Sequence, residues 1–229
     1  MKFFEPHESI ARFINVSRNY FMEAYGFIAA EANEWFGLSR LSSGDKILEF
    51  GGGEGIMTIN LAKLSPADFI FIEKNKHMAD LARLNFNEAG ISGRTEIMVG
   101  EVEDADIPSN SISFIISRGA IQFTDYKKTI TNLVRWLKPG GIAYFGCGLG
   151  MNISDEYRVK MDKYFDAKKD KKDTTNADVF DEMKIEGYKL LIEKHFDDEL
   201  EYVKAVNING FFFEIKKSLN TSLNTLPNN

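Results

Sequence analysis

Ile47-Leu48-Glu49-Phe50-Gly51-Gly52-Gly53-Glu54-Gly55 is the stretch on which the fold of this chain turns. It reads as a short apolar strand carrying an acid, then a glycine-rich turn, then a helix starting near Ile56. Glycine reaches φ > 0 without steric cost and has no side chain, so a ligand can approach the backbone. The helix that follows offers unpaired N–H donors at its start. Spacing narrows the ligand. A dinucleotide fingerprint needs G-x-G-x-x-G; counted from Gly51 and Gly53, the third position is Ile56, so it fails. A phosphate-binding G-x-x-x-x-G-K-[ST] is absent as well. The pattern present is E-x-G-x-G-x-G, with Glu49, Gly51, Gly53 and Gly55. On this segment alone, a tight strand-to-helix turn without a ligand is the competing explanation.

Outward from this loop, apolar runs alternate with amphipathic ones. Residues 8–37 carry Ile10, Phe13, Ile14, Phe21, Ala24 and Phe27 at helical spacing. Strands are expected at 46–50, 69–73, 96–99, 112–117 and 142–147, and helices at 55–64, 76–89 and 125–137. The central strands are apolar throughout rather than alternating, as in a parallel sheet covered on both faces. After Gly150 helices are expected at 154–168 and 177–194. Then Glu199–Ile208 and Phe211–Lys217 flank Asn209-Gly210, a strong hairpin signal. The expected fold is α/β: a Rossmann-like doubly wound sheet, mostly parallel, with a C-terminal antiparallel hairpin and helices on both faces. In such sheets ligands bind beyond the carboxyl ends of the strands.

The 229 residues, 44% hydrophobic and 27% charged, suit one domain with an ordinary core. Net charge is −6, which provides no global attraction for nucleic acid or an anionic membrane. The lone Cys147 excludes an intramolecular disulfide and a multi-thiolate zinc site. His7, His77 and His195 show no metal-ligand spacing, so no metal is expected. The start of the chain lacks the apolar core of a secretory signal, and no run approaches the roughly 20 apolar residues of a bilayer span. A cytoplasmic location is the expectation.

Further segments bear on chemistry. Glu73 ends the second strand, twenty residues after Gly53, where an acid can accept hydrogen bonds from a ribose diol; a solvent-exposed strand-end acid is the plainer alternative. Gly100-Glu101-Val102-Glu103-Asp104 follows the third strand. Asn110–Phe123 spans the fourth strand and its loop, and Leu137-Lys138-Pro139-Gly140-Gly141 closes a helix. Taken with the glycine loop, these five motifs resemble the class I S-adenosylmethionine (SAM) dependent methyltransferases, in the branch of quinone-biosynthesis and other small-molecule enzymes. The resemblance runs over residues 47–147 and weakens before 45 and after 150.

That resemblance implies SAM as cofactor and S-adenosylhomocysteine (SAH) as product. It implies cofactor contacts from Glu49, Gly51, Gly53, Gly55, Glu73, Lys74, Glu101, Val102 and Ser117. Glu101 stands where the family commonly has Asp, Ser113 where it usually has Asp, and Gln122 where many relatives have His. Tyr20, Gln122 and Arg118 are the candidates on the acceptor side; Arg118 can hold an anion bidentately. The organisation implied is one domain over 1–217: an N-terminal helical lid (1–45, with Phe3, Phe4, Tyr20 and Tyr25), a cofactor-binding core (46–147), a substrate-side insertion (148–195) and a hairpin (199–217), followed by a flexible tail (218–229). The expected activity is methyl transfer to a small molecule. The alternatives are a protein or RNA methyltransferase, or a SAM-binding module without catalysis. No Asn-Pro-Pro-Tyr-like segment of the kind that holds a flipped base is present.

Overall fold

In the computed structural model, the described residues are 22–169, 186–190, 192–193, 200–206 and 211–219. Seven strands form one sheet: β1 (Lys46–Phe50), β2 (Asp68–Glu73), β3 (Thr95–Val99), β4 (Ile112–Arg118), β5 (Leu137–Cys147), β6 (Leu200–Val206) and β7 (Phe211–Lys217). Their order is β3-β2-β1-β4-β5-β7-β6. β1 to β5 are mutually parallel, and β7 lies antiparallel between β5 and β6. The order turns back between β1 and β4, and this switch opens a crevice at the carboxyl edge.

Among the described residues, helices with both ends defined are α1 (Met22–Phe36), α2 (Ile56–Ala62), α3 (Lys76–Glu88), α4 (Tyr126–Trp136) and α5 (Asp155–Lys169). Caps fix two of them. Asn75 Oδ1 accepts from His77 N and Met78 N at the start of α3. Asp125 Oδ1 does the same for Lys127 N and Lys128 N at α4. Beyond the end of α3, Gly90 takes φ 71° and Ile91 N bonds back to Phe86 O, which is the arrangement glycine makes possible at a helix C-terminus.

Each strand sends alternate residues to opposite faces. Leu48, Ile70, Ile72, Ile115, Phe145 and Phe213 join Ile130, Leu133 and Trp136 of α4 on one face. Ile47, Phe69, Phe71, Phe114, Ile116, Tyr144 and Phe212 meet Ile28, Ala29, Ala32, Leu61 and Phe86 on the other. Burying one such large side chain is worth about 1.5–3 kcal/mol, so these two layers supply most of the driving force. A small third cluster joins α1 to α5 through Ala24, Leu149, Ile153, Tyr157 and Met161.

One expectation changes. Leu137–Gly141, expected as a helix-end turn, already belongs to β5: Leu137 pairs with Ile112, and the register shifts before Phe114. Gly141 permits this, because a Cβ there would lie 3.0 Å from Ile112 O. In the expected N-terminal segment, α1 packs into the core, with Ile28, Ala29 and Ala32 wholly buried. Phe3, Phe4, Tyr20, the Asn209-Gly210 turn, and most of the expected helix at 177–194 lie outside the described residues; residues 186–190 and 192–193 within it are helical. Among the described residues no helix is long and apolar enough to cross a membrane.

Candidate functional site

Four strand ends converge on one cleft of about 380 Å³, lined by Phe50, Gly51, Ile72, Glu73, Lys74, Gly100, Glu101, Val102, Gly119, Ala120, Phe123 and Thr124. That volume is in the range of small-molecule sites. It lies at the switch point, so the topology itself positions it.

The glycine loop has divided labour. Gly51 (φ 64°), Gly53 (φ 57°) and Gly55 (φ 78°) all need the left-handed region. A Cβ on Gly51 would sit 2.2 Å from Ala120 Cβ, and one on Gly55 would run into the Phe86 ring at 2.3 Å. Gly52, which the motif pattern skips, is equally constrained: its Cβ would lie 2.2 Å from Phe71 Cε2 and 2.8 Å from Glu49 Cδ. These three serve close packing. At Gly53 a Cβ would meet only Met78 Cε, at 3.7 Å. Gly100 and Gly119, across the cleft, have nothing within 4 Å of a built Cβ. They leave open volume above bare backbone, which is what an extended ligand requires.

The two strand acids also separate. Glu73 lines the cleft; its Oε2 accepts from Gly53 N at 2.9 Å and its Oε1 from Asn75 N at 2.8 Å. A carboxylate has about four lone-pair sites, so acceptor capacity remains. Glu49 is turned inward. Its Oε2 accepts from Thr58 N (2.9 Å) and Thr58 Oγ1 (2.5 Å), tying α2 to β1 behind the loop. Burial pushes the Glu49 carboxyl up to about 8; the Thr58 bonds oppose that and the nearby Glu73 charge adds to it. Ser117 is likewise internal, donating to Phe50 O at 2.8 Å across β4 and β1. Lys74 and Glu101 both line the cleft, 3.6 Å apart and half exposed; such a pair adds about 0–1 kcal/mol. Val102 is buried along the cleft wall.

On the acceptor side, Arg118 Nε donates to Gly148 O at 2.5 Å, and its guanidinium lies 5.3 Å above the Tyr25 ring. Gln122 Nε2 donates to Gly119 O. Tyr20 lies outside the described residues. Burial raises the Cys147 thiol, against the pull of Arg118; it is a packed thiol rather than a ready nucleophile.

Sequence reasoning missed Glu31. This α1 carboxylate is wholly buried. Oε1 accepts from Tyr144 Oη at 2.7 Å, and Oε2 from Met151 N (2.5 Å) and Asn152 N (2.9 Å). It pins the loop after β5 to α1. Burial and Glu31 together push the Tyr144 hydroxyl far above its ordinary range. A charged residue on a helix gives no local sign of facing inward; only its distant partner Tyr144 does. Phe123 and Thr124 were also missed, although both follow β4 at the edge where ligands bind.

Residues 47–141 match a family model described as a methyltransferase domain. The ubiquinone/menaquinone biosynthesis C-methyltransferase of Cronobacter sakazakii is 30% identical over 106 residues, 45% of this chain and 42% of that protein. Its counterpart in Pseudomonas fluorescens is 26% identical over 133 residues, 57% and 50% of the two chains. The chain thus spans half or less of the length of these curated relatives. A Methanococcus maripaludis protein assigned as a SAM-dependent methyltransferase shares the fold at TM-score 0.77 and 24% identity, covering 95% of this chain and 97% of its own. A SAM-dependent methyltransferase of Aquifex aeolicus does so at TM-score 0.59 and 18% identity, with 94% and 98% covered. The strand order, the glycine loop and the matched segment agree: residues 47–141 are similar to a methyltransferase domain, on a fold that the chain shares with these two solved structures.

Proposed function

We propose that the protein transfers a methyl group from SAM to a small-molecule acceptor. The observation that carries this reading is the switch-point cleft, which combines bare backbone at Gly100 and Gly119 with an acid, Glu73, that retains acceptor capacity and is bonded to Gly53 N of the glycine loop. These features suit a nucleoside joined to an extended tail. Glu73 would hold the ribose hydroxyls, Val102 and the Glu101 backbone the adenine, and the loop at Gly51–Gly53 the amino-acid end. When bound, SAM supplies a methyl group already activated by its sulfonium. The chain's task is then mainly placement of the acceptor. Arg118 and the loop pinned by Glu31 border the carboxyl ends of β4 and β5, where an acceptor would enter. The quinone-biosynthesis activity of the relatives supports a small acceptor. The acidic net charge of −6 disfavours nucleic acid.

Calorimetry with SAM, SAH, NAD and ATP tests the cofactor, and SAH release over a panel of small phenols, amines and carboxylates tests transfer. Micromolar-range binding of SAM and SAH alone, with SAH release on at least one compound, is expected. Tighter binding of NAD overturns the cofactor reading. SAM binding with no transfer to any small molecule favours a binding module or a macromolecular acceptor instead.

A further inference from the structure

β3 and β4 are not neighbours: β2 and β1 lie between them in the sheet. At about 4.8 Å per strand, their carboxyl ends stand about 14 Å apart. The turns beyond them nevertheless meet. Asp125 N donates to Glu103 Oε1 at 2.5 Å, Asn132 Nδ2 donates to Glu103 O at 3.0 Å, and Lys128 Nζ reaches Asp104 Oδ1 at 2.7 Å. The Lys128–Asp104 pair is exposed and adds little, so Glu103 carries the bridge. Its other oxygen, Oε2, is buried and has no hydrogen-bond partner among the described residues. That placement costs stability; what it secures is a fixed distance between the two turns.

The bridge lies one residue behind each wall of the cofactor cleft. Val102 lines the cleft just before Glu103, and Phe123 and Thr124 line it just before Asp125. The second turn is rigid in its backbone: Phe123 N bonds to Ala120 O at 2.9 Å, Thr124 N to Ile121 O at 3.2 Å, and Ile121 is wholly buried. A lone exposed apolar residue is ordinary. Phe123 differs because its ring, 64% exposed, borders the cleft. Phe50, the other aromatic ring on the lining, is 1% exposed and fixed in the core. Phe123 is therefore the lining ring with freedom to lie against a ligand.

We propose that Glu103 is a positioning residue of the cofactor cleft: by tying the Phe123 turn to the Val102 turn, it sets the width of a slot in which the Phe123 ring covers the planar base of the bound nucleoside. This rests on the SAM reading above, which puts the base at Val102. Glu103 touches no ligand and acts through Phe123. Every base has a π-face, so the slot selects for flatness and leaves the choice of base to the polar groups around it.

The test uses the whole protein, its Phe123→Ala, Glu103→Ala and Glu103→Gln variants, and the Phe123→Ala/Glu103→Ala double variant. SAH affinity is measured by calorimetry, and urea midpoints establish that each variant is folded under the same conditions. Phe123→Ala should weaken SAH binding about tenfold, within the range for loss of one base–aromatic stack. Glu103→Ala should weaken it to a similar extent. Glu103→Gln keeps an oxygen for Asp125 N and should stay within about threefold of wild type, the scale of one weakened hydrogen bond. The double variant should bind like Phe123→Ala, because the clamp has nothing to place once the ring is gone. Should Glu103→Ala fail to fold, Glu103→Asp, which keeps the charge on a shorter arm, takes its place with the same expectations. A Glu103 that only stabilised the fold would move the urea midpoint and leave SAH affinity unchanged. Failure of SAH to bind wild type overturns the cofactor reading and this inference with it. With SAH bound by wild type, unchanged affinity in Phe123→Ala or Glu103→Ala, a Glu103→Gln variant no better than Glu103→Ala, or losses that multiply in the double variant each overturn the inference alone.

Discussion

The carboxylate of Glu73 accepts a hydrogen bond from the backbone N–H of Gly53 at 2.9 Å, across twenty residues of chain. The end of β2 and the floor of the glycine loop are thus joined by the acid that faces the cleft, and its second oxygen steadies the turn into α3 through Asn75 N. The loop is organised by the protein before any ligand arrives, so less of the binding energy goes into ordering it.

Glu73→Ala is expected to weaken SAM binding by about 1.5–3 kcal/mol, the scale of hydrogen bonds to a charged group. Glu73→Gln should keep part of the affinity, since one oxygen survives. Calorimetry decides it: an unchanged dissociation constant in the alanine variant makes Glu73 a bystander.

Substitution at neighbouring glycines should separate binding from folding. Gly53→Val places its side chain where only Met78 approaches, but at a φ of 57° that a β-branched residue resists, so it should lower stability without unfolding the protein and abolish SAM binding. Gly55→Ala drives a methyl group into the Phe86 ring and should cost stability by about 1–3 kcal/mol, as overpacking does. Urea unfolding beside SAM titration for both variants is the check. Normal SAM binding by Gly53→Val would remove the loop from the site.

Stability should decline from mildly acid to mildly alkaline pH because of Glu49. Its folded-state value is raised from an ordinary 4.5 to about 8. Below 4.5 both states carry the proton and the contribution is complete. As pH rises toward 8 the unfolded chain ionises while the folded carboxyl holds its proton, so stability is lost across that window. Glu49→Gln should flatten the slope. Asp45 works in the opposite sense: hydrogen bonds from Ser42 and Lys138, then Ser113, hold it below the usual carboxylate range, and its contribution disappears as the solution is acidified. Denaturation midpoints from pH 4.5 to 9 would expose the first and a series carried below 3.8, the ordinary Asp45 value, the second; a wild-type profile that matches Glu49→Gln would refute the first.

Tyr144→Phe removes the donor to Glu31 but leaves the ring stacked on Phe212, 4.7 Å between centroids. The expected loss is about 1.5–3 kcal/mol for a buried bond to a carboxylate, with faster exchange of the Met151 and Asn152 amides. Unaltered exchange at those two amides would mean that Glu31 does not secure the loop.

The sheet was readable in the sequence because its signals are local. Runs such as Phe69-Ile70-Phe71-Ile72 and turns such as Ser65-Pro66 need no distant partner to be recognised. The division of roles was not readable. Glu49 and Glu73 look alike as strand acids, yet one faces Thr58 and the other the cleft. Gly52 and Gly55 differ from Gly53 only because Phe71 and Phe86, brought from β2 and α3, press on them. Ser117 resembles a ligand contact in the motif, and its hydroxyl forms a stitch to Phe50. The early start of β5 was hidden for a similar reason: Lys138-Pro139-Gly140-Gly141 has turn chemistry locally, and the pairing of Leu137 with Ile112 overrides it.

The position of β7 between β5 and β6 has a consequence for how the protein is made. While the ribosome is still working through the segment after Cys147, β5 has β4 on one side and nothing on the other. Tyr144 and Phe145 await Phe212 and Phe213. A nascent chain in that condition displays an apolar strand with unpaired backbone, the kind of edge that recruits other strands. Chains interrupted before Phe211 should therefore be the aggregating species in any expression, and a premature stop there should be more damaging to solubility than most substitutions in the cleft.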